Sequence, residues 1–392
     1  MIKLKHIALL VFCTAYVTSC TKPFNAESFV FEKVIVVDGQ VTDQNQFHYV
    51  NLSYTYPIGA QDSAPLGNAT VWVEKGDGTI IAFEEIMIGN YQSASSFAGV
   101  TGDTYQLFFT TPEGRNYSSN SIELIKSPPI DSVYDKYAQL TSDESTSGLS
   151  GIQFFIDTHD ETKKAKYFRY EWEEDYQIIS PYPSLYGYDL ELDSIYLRTE
   201  RIHICYESGK SSNLIIGTTV GSIENRLIEF PVNFVSGLSD KLRNRYAINV
   251  KQYAINESAY GFYRKLKESN ESGGSLFDKQ QGTITGNILS IEDPNETILG
   301  FFEVAGASEL RTFFNQSEFD EQLKRAGFRF QCLDSYNIIP PRDSIYYWHE
   351  KGFNIIITYT NSEGEPEFQM GPKTCTECAY YATNVKPEFW ID

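Results

Sequence analysis

The chain has 392 residues, 32 Lys and Arg against 52 Asp and Glu, and a formal net charge of −20. So acidic a surface repels nucleic-acid phosphates and anionic head groups, which excludes nucleic acid as an expected partner and electrostatic docking as a route to a membrane. The length allows two or three domains, and 27 Tyr and 26 Phe with only 3 Met favour strands over helices.

In chain order, Lys3 and Lys5 precede an apolar run at 7–17. The run is too short to cross a bilayer as a helix, which takes about 20 residues. It fits a signal segment, residues 1–19, that is removed together with Cys13. Val17-Thr18-Ser19-Cys20 resembles a bacterial lipobox, with an aliphatic residue and two small residues ahead of the cysteine that receives the lipid. A diacylglyceryl group and an N-acyl chain on Cys20 exceed the two lipid signals that stable anchoring needs. Loss of Lys3 and Lys5 takes the mature charge from −20 to −22. Residues 20–32 are polar, carry Pro23 and read as a tether between lipid and protein.

From Lys33 the pattern is short alternating strands separated by turn residues. Runs at 34–41, 47–54, 68–74, 79–85, 104–110 and 116–124 build an expected immunoglobulin-like β-sandwich over residues 33–126. Lys75-Gly76-Asp77-Gly78 is a hairpin turn within it. Ser127-Pro128-Pro129 forbids a helix and marks the boundary to a larger β-rich domain, 127–392. There, 141–149 reads as a Ser/Thr-rich loop, and strands are expected at 151–157, 165–173, 284–289 and 299–304. Two helices are expected. One lies near 256–269, with Asn256 as N-cap and Ala259, Phe262, Tyr263 and Leu266 at helical spacing; the other lies near 317–326, with Ser317 as cap and Gly327 as stop. The Pro/Tyr-rich stretch 180–188 presents Tyr182, Tyr186 and Tyr188 as a possible interface.

Cys205, Cys332, Cys375 and Cys378 remain after Cys20. In an exported chain they are disulfide candidates. A four-cysteine zinc site usually has two close pairs, and a thioredoxin-type motif opens a helix in a βαβ unit, so neither reading fits as well. Two cysteines as close as Cys375 and Cys378 rarely bridge each other without strain, so each is expected to pair with Cys205 or Cys332. No catalytic constellation stands out. Gly273-Gly274-Ser275 is not a nucleophile elbow, and no phosphate-binding Gly loop ends in Lys and Ser or Thr. His48, His159, His203 and His349 lack a second His at ligand spacing, so no metal or other cofactor is expected. Glu84-Glu85 and Glu173-Glu174-Asp175 would serve as hydrolase carboxylates only if distant strands brought them together.

Several segments resemble one family of Bacteroidetes lipoproteins, domain of unknown function 4249. They are Ser19-Cys20-Thr21-Lys22-Pro23-Phe24, Val37-Asp38-Gly39, Ile204-Cys205-Tyr206-Glu207-Ser208 and the run 245–253 from Arg245 to Tyr253. Gly274-Ser275-Leu276-Phe277-Asp278, Thr285-Gly286-Asn287-Ile288, Leu299-Gly300-Phe301-Phe302-Glu303-Val304, Cys375-Thr376-Glu377-Cys378 and Lys386-Pro387-Glu388-Phe389-Trp390 complete the set. The resemblance implies an outer-membrane lipoprotein encoded beside a TonB-dependent receptor, with no catalytic residues to carry over. The expectation is a non-enzymatic, lipid-anchored accessory of a TonB-dependent barrel in nutrient uptake, at the cell surface rather than the periplasmic face. Acidic residues just after the lipidated cysteine favour surface export in such bacteria, and here the first acid is Glu27. The alternatives are a surface adhesin or glycan-binding module, supported by the Tyr and Phe content, and a hydrolase with dispersed carboxylates.

Overall fold

The computed structural model describes residues 33–56, 64–142, 145–271, 284–319, 323, 328–333 and 337–391. The signal segment, Cys20 and the tether lie outside the described residues. The fold is mainly β, as the alternation requires. Its first unit uses β1 (Ile35–Thr42), β2 (Tyr49–Tyr54), β3 (Ala64–Pro65), β4 (Thr70–Lys75), β5 (Ile80–Met87), β6 (Asn90–Ser93), β7 (Thr104–Thr110), β8 (Asn116–Ser119) and β9 (Ile122–Glu123). Adjacent strands run antiparallel in the order β1-β2-β6-β5-β4-β7-β8. Successive side chains leave a strand on opposite faces. Val37, Val50, Leu52, Val73, Leu107 and Phe109 therefore point into one core around which the sheet folds.

The second unit begins with β10 (Ile130–Ser142), β11 (Ser145–His159) and β12 (Tyr167–Ile179). It continues with β13 (Tyr186–Asp189), β14 (Ser194–Leu197), β15 (Ile204–Lys210), β16 (Ile215–Thr218), β17 (Arg226–Ser236) and β18 (Arg245–Ile255). Helix α1 (Glu257–Glu271), β19 (Ile288–Ser290) and β20 (Ile298–Asn315) follow. Strands β10, β11 and β17 form a three-stranded sheet that packs on the β15-β12-β18-β20 sheet. Ile152, Phe154, Phe168, Tyr170, Tyr246 and Val250 fill the space between them.

The proline boundary does not separate two closed units. β20 is 18 residues long and serves both: its first half pairs in parallel with β1, its second half antiparallel with β18. β19 pairs with β8, and Ile288, Ile298, Phe302 and Val304 join the first core. The sandwich expected over 33–126 is thus completed by strands from beyond residue 284. At the seam, Asn287 acts as a strand partner for Phe302: its Nδ2 donates to the Phe302 carbonyl at 2.8 Å, and its Oδ1 accepts from the Phe302 N–H at 2.9 Å. Only glycine fits beside it. A Cβ on Gly300, whose φ is +94°, would sit 1.8 Å from the Val37 carbonyl oxygen, and one on Gly286 would sit 1.4 Å from that of Gly300.

Three expectations change. The Ser/Thr-rich stretch 141–149 is mostly strand: β10 and β11 make one long hairpin, with Leu140 opposite Leu149 and Ser142 opposite Ser145, because cross-strand pairing overrides the local loop preference. Where a helix was expected near 317–326, the described residues show a 3-10 turn, Gln316–Glu318, with Asn315 and not Ser317 as N-cap, held by an Asn315–Glu318 capping box and ended by extended Phe319; 320–322 and 324–327 lie outside the described residues. The other helix forms as α1, with the Asn256 side chain accepting from the Ala259 N–H at 2.7 Å. A third element of order was not foreseen. α2 (Ile345–Glu350), β21 (Phe353–Thr360), β22 (Pro366–Pro372) and α3 (Lys373–Thr376) join the β13–β14 hairpin around Ile345, Ile355, Phe368 and Met370. Cys205–Cys378 and Cys332–Cys375 are disulfide-bonded, each isolated cysteine to one member of the close pair. Among the described residues no helix is long and apolar enough to cross a membrane.

Candidate functional site

Alternation along β12 sorts its charges. Phe168, Tyr170 and Glu174 go to the core side, while Arg169, Glu171, Glu173 and Asp175 share the opposite, open face of the sheet. The neighbouring strands answer in register. Arg169 lies opposite Tyr253, Glu171 opposite Lys251, and Lys251 opposite Glu309. Lys251 reaches Glu173 at 2.7 Å and Arg311 reaches Asp175 at 3.2 Å.

At the end where the sheet passes into the first unit, these charges become buried. Arg169 donates twice to Glu303, from Nε at 3.0 Å and Nη2 at 2.9 Å, and its Nη1 reaches Glu171 at 2.5 Å. Gln40 donates to Glu303 at 2.6 Å, and Tyr253 donates to Glu171 at 3.2 Å. The Arg169 guanidinium lies over the Tyr253 ring, 4.3 Å from its centroid. α1 roofs the cluster: Phe262 stacks on Phe301, and Tyr263 bonds Glu303. Glu303 is 1% exposed. Burial opposes its ionisation, but the charge and hydrogen bonds of Arg169 prevail and hold its carboxyl below the usual range.

Beside this cluster opens a groove of about 340 Å³. It is lined by Asp38 and Gln40 of β1, His48 just before β2, Tyr49 of β2, and Arg169 and Tyr263; the Asp38 residue is itself exposed. Asp38 bonds Asn51 across the β1–β2 pair. Desolvation raises its carboxyl above the ordinary value, against the pull of Asn51 and Arg169. His48 is buried, its Nε2 is 2.9 Å from the Phe97 carbonyl, and burial lowers its pKa. Phe47 and Tyr49 stand exposed at the lip, Tyr49 by 48%. A second depression of about 360 Å³ shares Arg169, Glu171 and Leu214 with the groove and continues it along the sheet past Glu173, Lys210 and Lys251.

The residues marked in the sequence lie elsewhere. Tyr188 is 9% exposed, packs in the third core, and donates to Asp193. Tyr182 is half-buried with its hydroxyl 3.4 Å from the Cys332 carbonyl, and Tyr186 is half-buried against the same core as Tyr188. The loop folds back on β21 and α3: Ser184 Oγ donates to the Ile355 carbonyl, and the Tyr182 N–H to that of Cys375; within 180–188 only Leu185 is exposed. Within each acidic run one acid is tied to local partners. Glu174 is buried against Lys241 and Tyr246 on the far face from Glu173, and Glu85 accepts the Asn68 and Gly89 N–H groups of a turn. Among the described residues no three His, Cys, Asp or Glu gather to hold a metal. What sequence reasoning missed was Asp38 and Glu303. Each is a lone acid in an apolar strand, within Val36-Val37-Asp38 and Phe301-Phe302-Glu303-Val304. For Glu303 that is a usable signal, because a buried carboxylate is tolerated only where another element supplies its partner; Asp38 is exposed and carries no such constraint.

No curated protein matches the sequence. Among solved structures, a DUF4785 family protein from Legionella pneumophila aligns at 10% identity with a TM-score of 0.17, over 56% of this chain and 51% of its own. The chain thus spans about half the length of that protein, and a likeness at this level carries no argument. A family model does match, over residues 21–311, which include β1, β12, β18 and most of β20, hence every side chain of the groove; the chain belongs to the family described as Domain of unknown function (DUF4249).

Proposed function

We propose that this chain is a lipid-anchored accessory protein of the outer membrane that works by binding rather than catalysis, as partner of a TonB-dependent receptor in nutrient uptake. The observation that carries the binding reading is the groove. It lies where the two units share β20, on a sheet braced by ion pairs and α1, so its walls are preorganised. Its acids other than Asp38 are tied to Arg169, which suits a recognition surface better than a reacting pair of carboxylates. The membrane anchor rests on the lipobox and the barrel partner on the family's usual setting. Affinity purification from native outer membranes in mild detergent tests the reading: a co-purifying β-barrel receptor is the expected result, and recovery of this chain alone counts against it.

A second reading, a surface adhesin or glycan-binding module, draws on the exposed Phe47 and Tyr49. Binding to a glycan array that Tyr49→Ala abolishes would favour it.

A further inference from the structure

The groove also indicates the class of its ligand, and the argument rests on the binding reading above. Asp38 is the exposed carboxylate lining the groove, with no cation in ion-pair contact among the described residues; Asn51 is its hydrogen-bond partner. The other acids that face it are already satisfied, Glu303 by Arg169, Gln40 and Tyr263, and Glu171 by Arg169 and Tyr253. Arg169 is itself spent: two edges of its guanidinium are used by Glu303 and Glu171, and one face is covered by Tyr253. It offers little to an incoming anion. Asp38, Glu171 and Glu303 outnumber Arg169, and His48 has its pKa lowered by burial, so the field in the groove favours a positive guest. At the lip, Phe47 and Tyr49 offer apolar and π surface next to Asp38, whose cross-strand neighbour Asn51 follows two residues after Tyr49.

We infer that the groove binds a small organic cation, a primary ammonium or guanidinium group seated on Asp38 with an attached apolar body lying against Phe47 and Tyr49. An ammonium donates charge-assisted hydrogen bonds to Asp38, and these are stronger than the neutral ones an alcohol would make. No bond is made or broken.

The test uses the mature, lipidated chain in mild detergent and isothermal calorimetry at neutral pH. Three probes share one body: phenethylamine, 2-phenylethanol and 3-phenylpropionate. Phenethylamine is expected to bind at least roughly tenfold more tightly than the other two, and Asp38→Asn, which keeps the shape and the contact to Asn51, to weaken it by at least roughly tenfold. Tyr49→Ala, at an exposed residue, is expected to weaken it several-fold and gives a second variant that leaves Asp38 and the Arg169–Glu303 pair intact. Equal binding of the three probes, no binding of phenethylamine at millimolar concentration, or binding that survives both substitutions overturns the inference. Those outcomes leave co-purification with a barrel untouched, and a missing barrel partner leaves the amine result untouched, so the two failures are distinguishable.

Discussion

The Arg169–Glu303 pair shows what one buried charge demands. Two ions taken from water are stable together only with good geometry and further hydrogen bonds, which Gln40, Tyr263 and Glu171 supply. Removing one partner strands the other, so Arg169→Met should cost about 3–5 kcal/mol in urea unfolding, and adding Glu303→Gln should recover part of that loss. The pair also sets an acid limit. The Glu303 carboxyl titrates lower in the folded chain than in the unfolded one, where it is about 4.3. Its contribution is therefore complete above about pH 4.3 and is lost as pH falls through the lower folded value. Urea midpoints measured from pH 6 to pH 3 should drop more steeply for the wild type than for Glu303→Gln, and parallel curves would refute the assignment. At this scale the sequence was only partly legible. Asp38 and Glu303 appeared there only within segments that resemble the family, and Gln40 and Glu303 are 263 residues apart, so nothing local joins them.

Among the elements, the disulfides divide by depth. Cys205 and Cys378 are fully buried in the second core and close a sequence separation of 173 residues; Cys332, half-buried, closes 43 with Cys375. In a chain-entropy account, loops of these lengths give ceilings of about 5 and about 4 kcal/mol. Mild reductant should therefore open Cys332–Cys375 first, and Cys378→Ala should destabilise more than Cys332→Ala. Alkylation followed by mass spectrometry checks the order, and prior loss of Cys205–Cys378 would contradict it. Strand existence was readable from alternation, as in β7, where Tyr105, Leu107 and Phe109 all point inward. Strand extent was not: the Ser/Thr run after residue 141 carries no alternation, and β11 acquires its length from pairing with β10 and β17. The Tyr-rich loop misled for a related reason. Tyr188 has an apolar body and a polar tip: the ring packs in the third core while the hydroxyl donates to Asp193, an exposed residue of the same hairpin.

For the whole molecule, the proposed function joins anchoring to shape. In that proposal a lipid on Cys20 would confine the groove to two dimensions and raise its effective concentration at a membrane partner. Cys20→Ala should leave the folded part unchanged by circular dichroism and thermal melting yet abolish function in cells; full complementation by the soluble form would refute the tethering argument. The anchor expectation, the β class and the cysteines available for pairing all come from the sequence, because each depends on local spacing or on alternation along a single strand. Only the tertiary structure decided that β20 closes the first sandwich while pairing with β18 in the second, and that Asp38, Arg169 and Glu303 meet where it crosses. The reason is physical. A parallel partner and a buried ion pair are chosen by register between strands hundreds of residues apart, and register is a property of the assembled sheet, absent from any one strand.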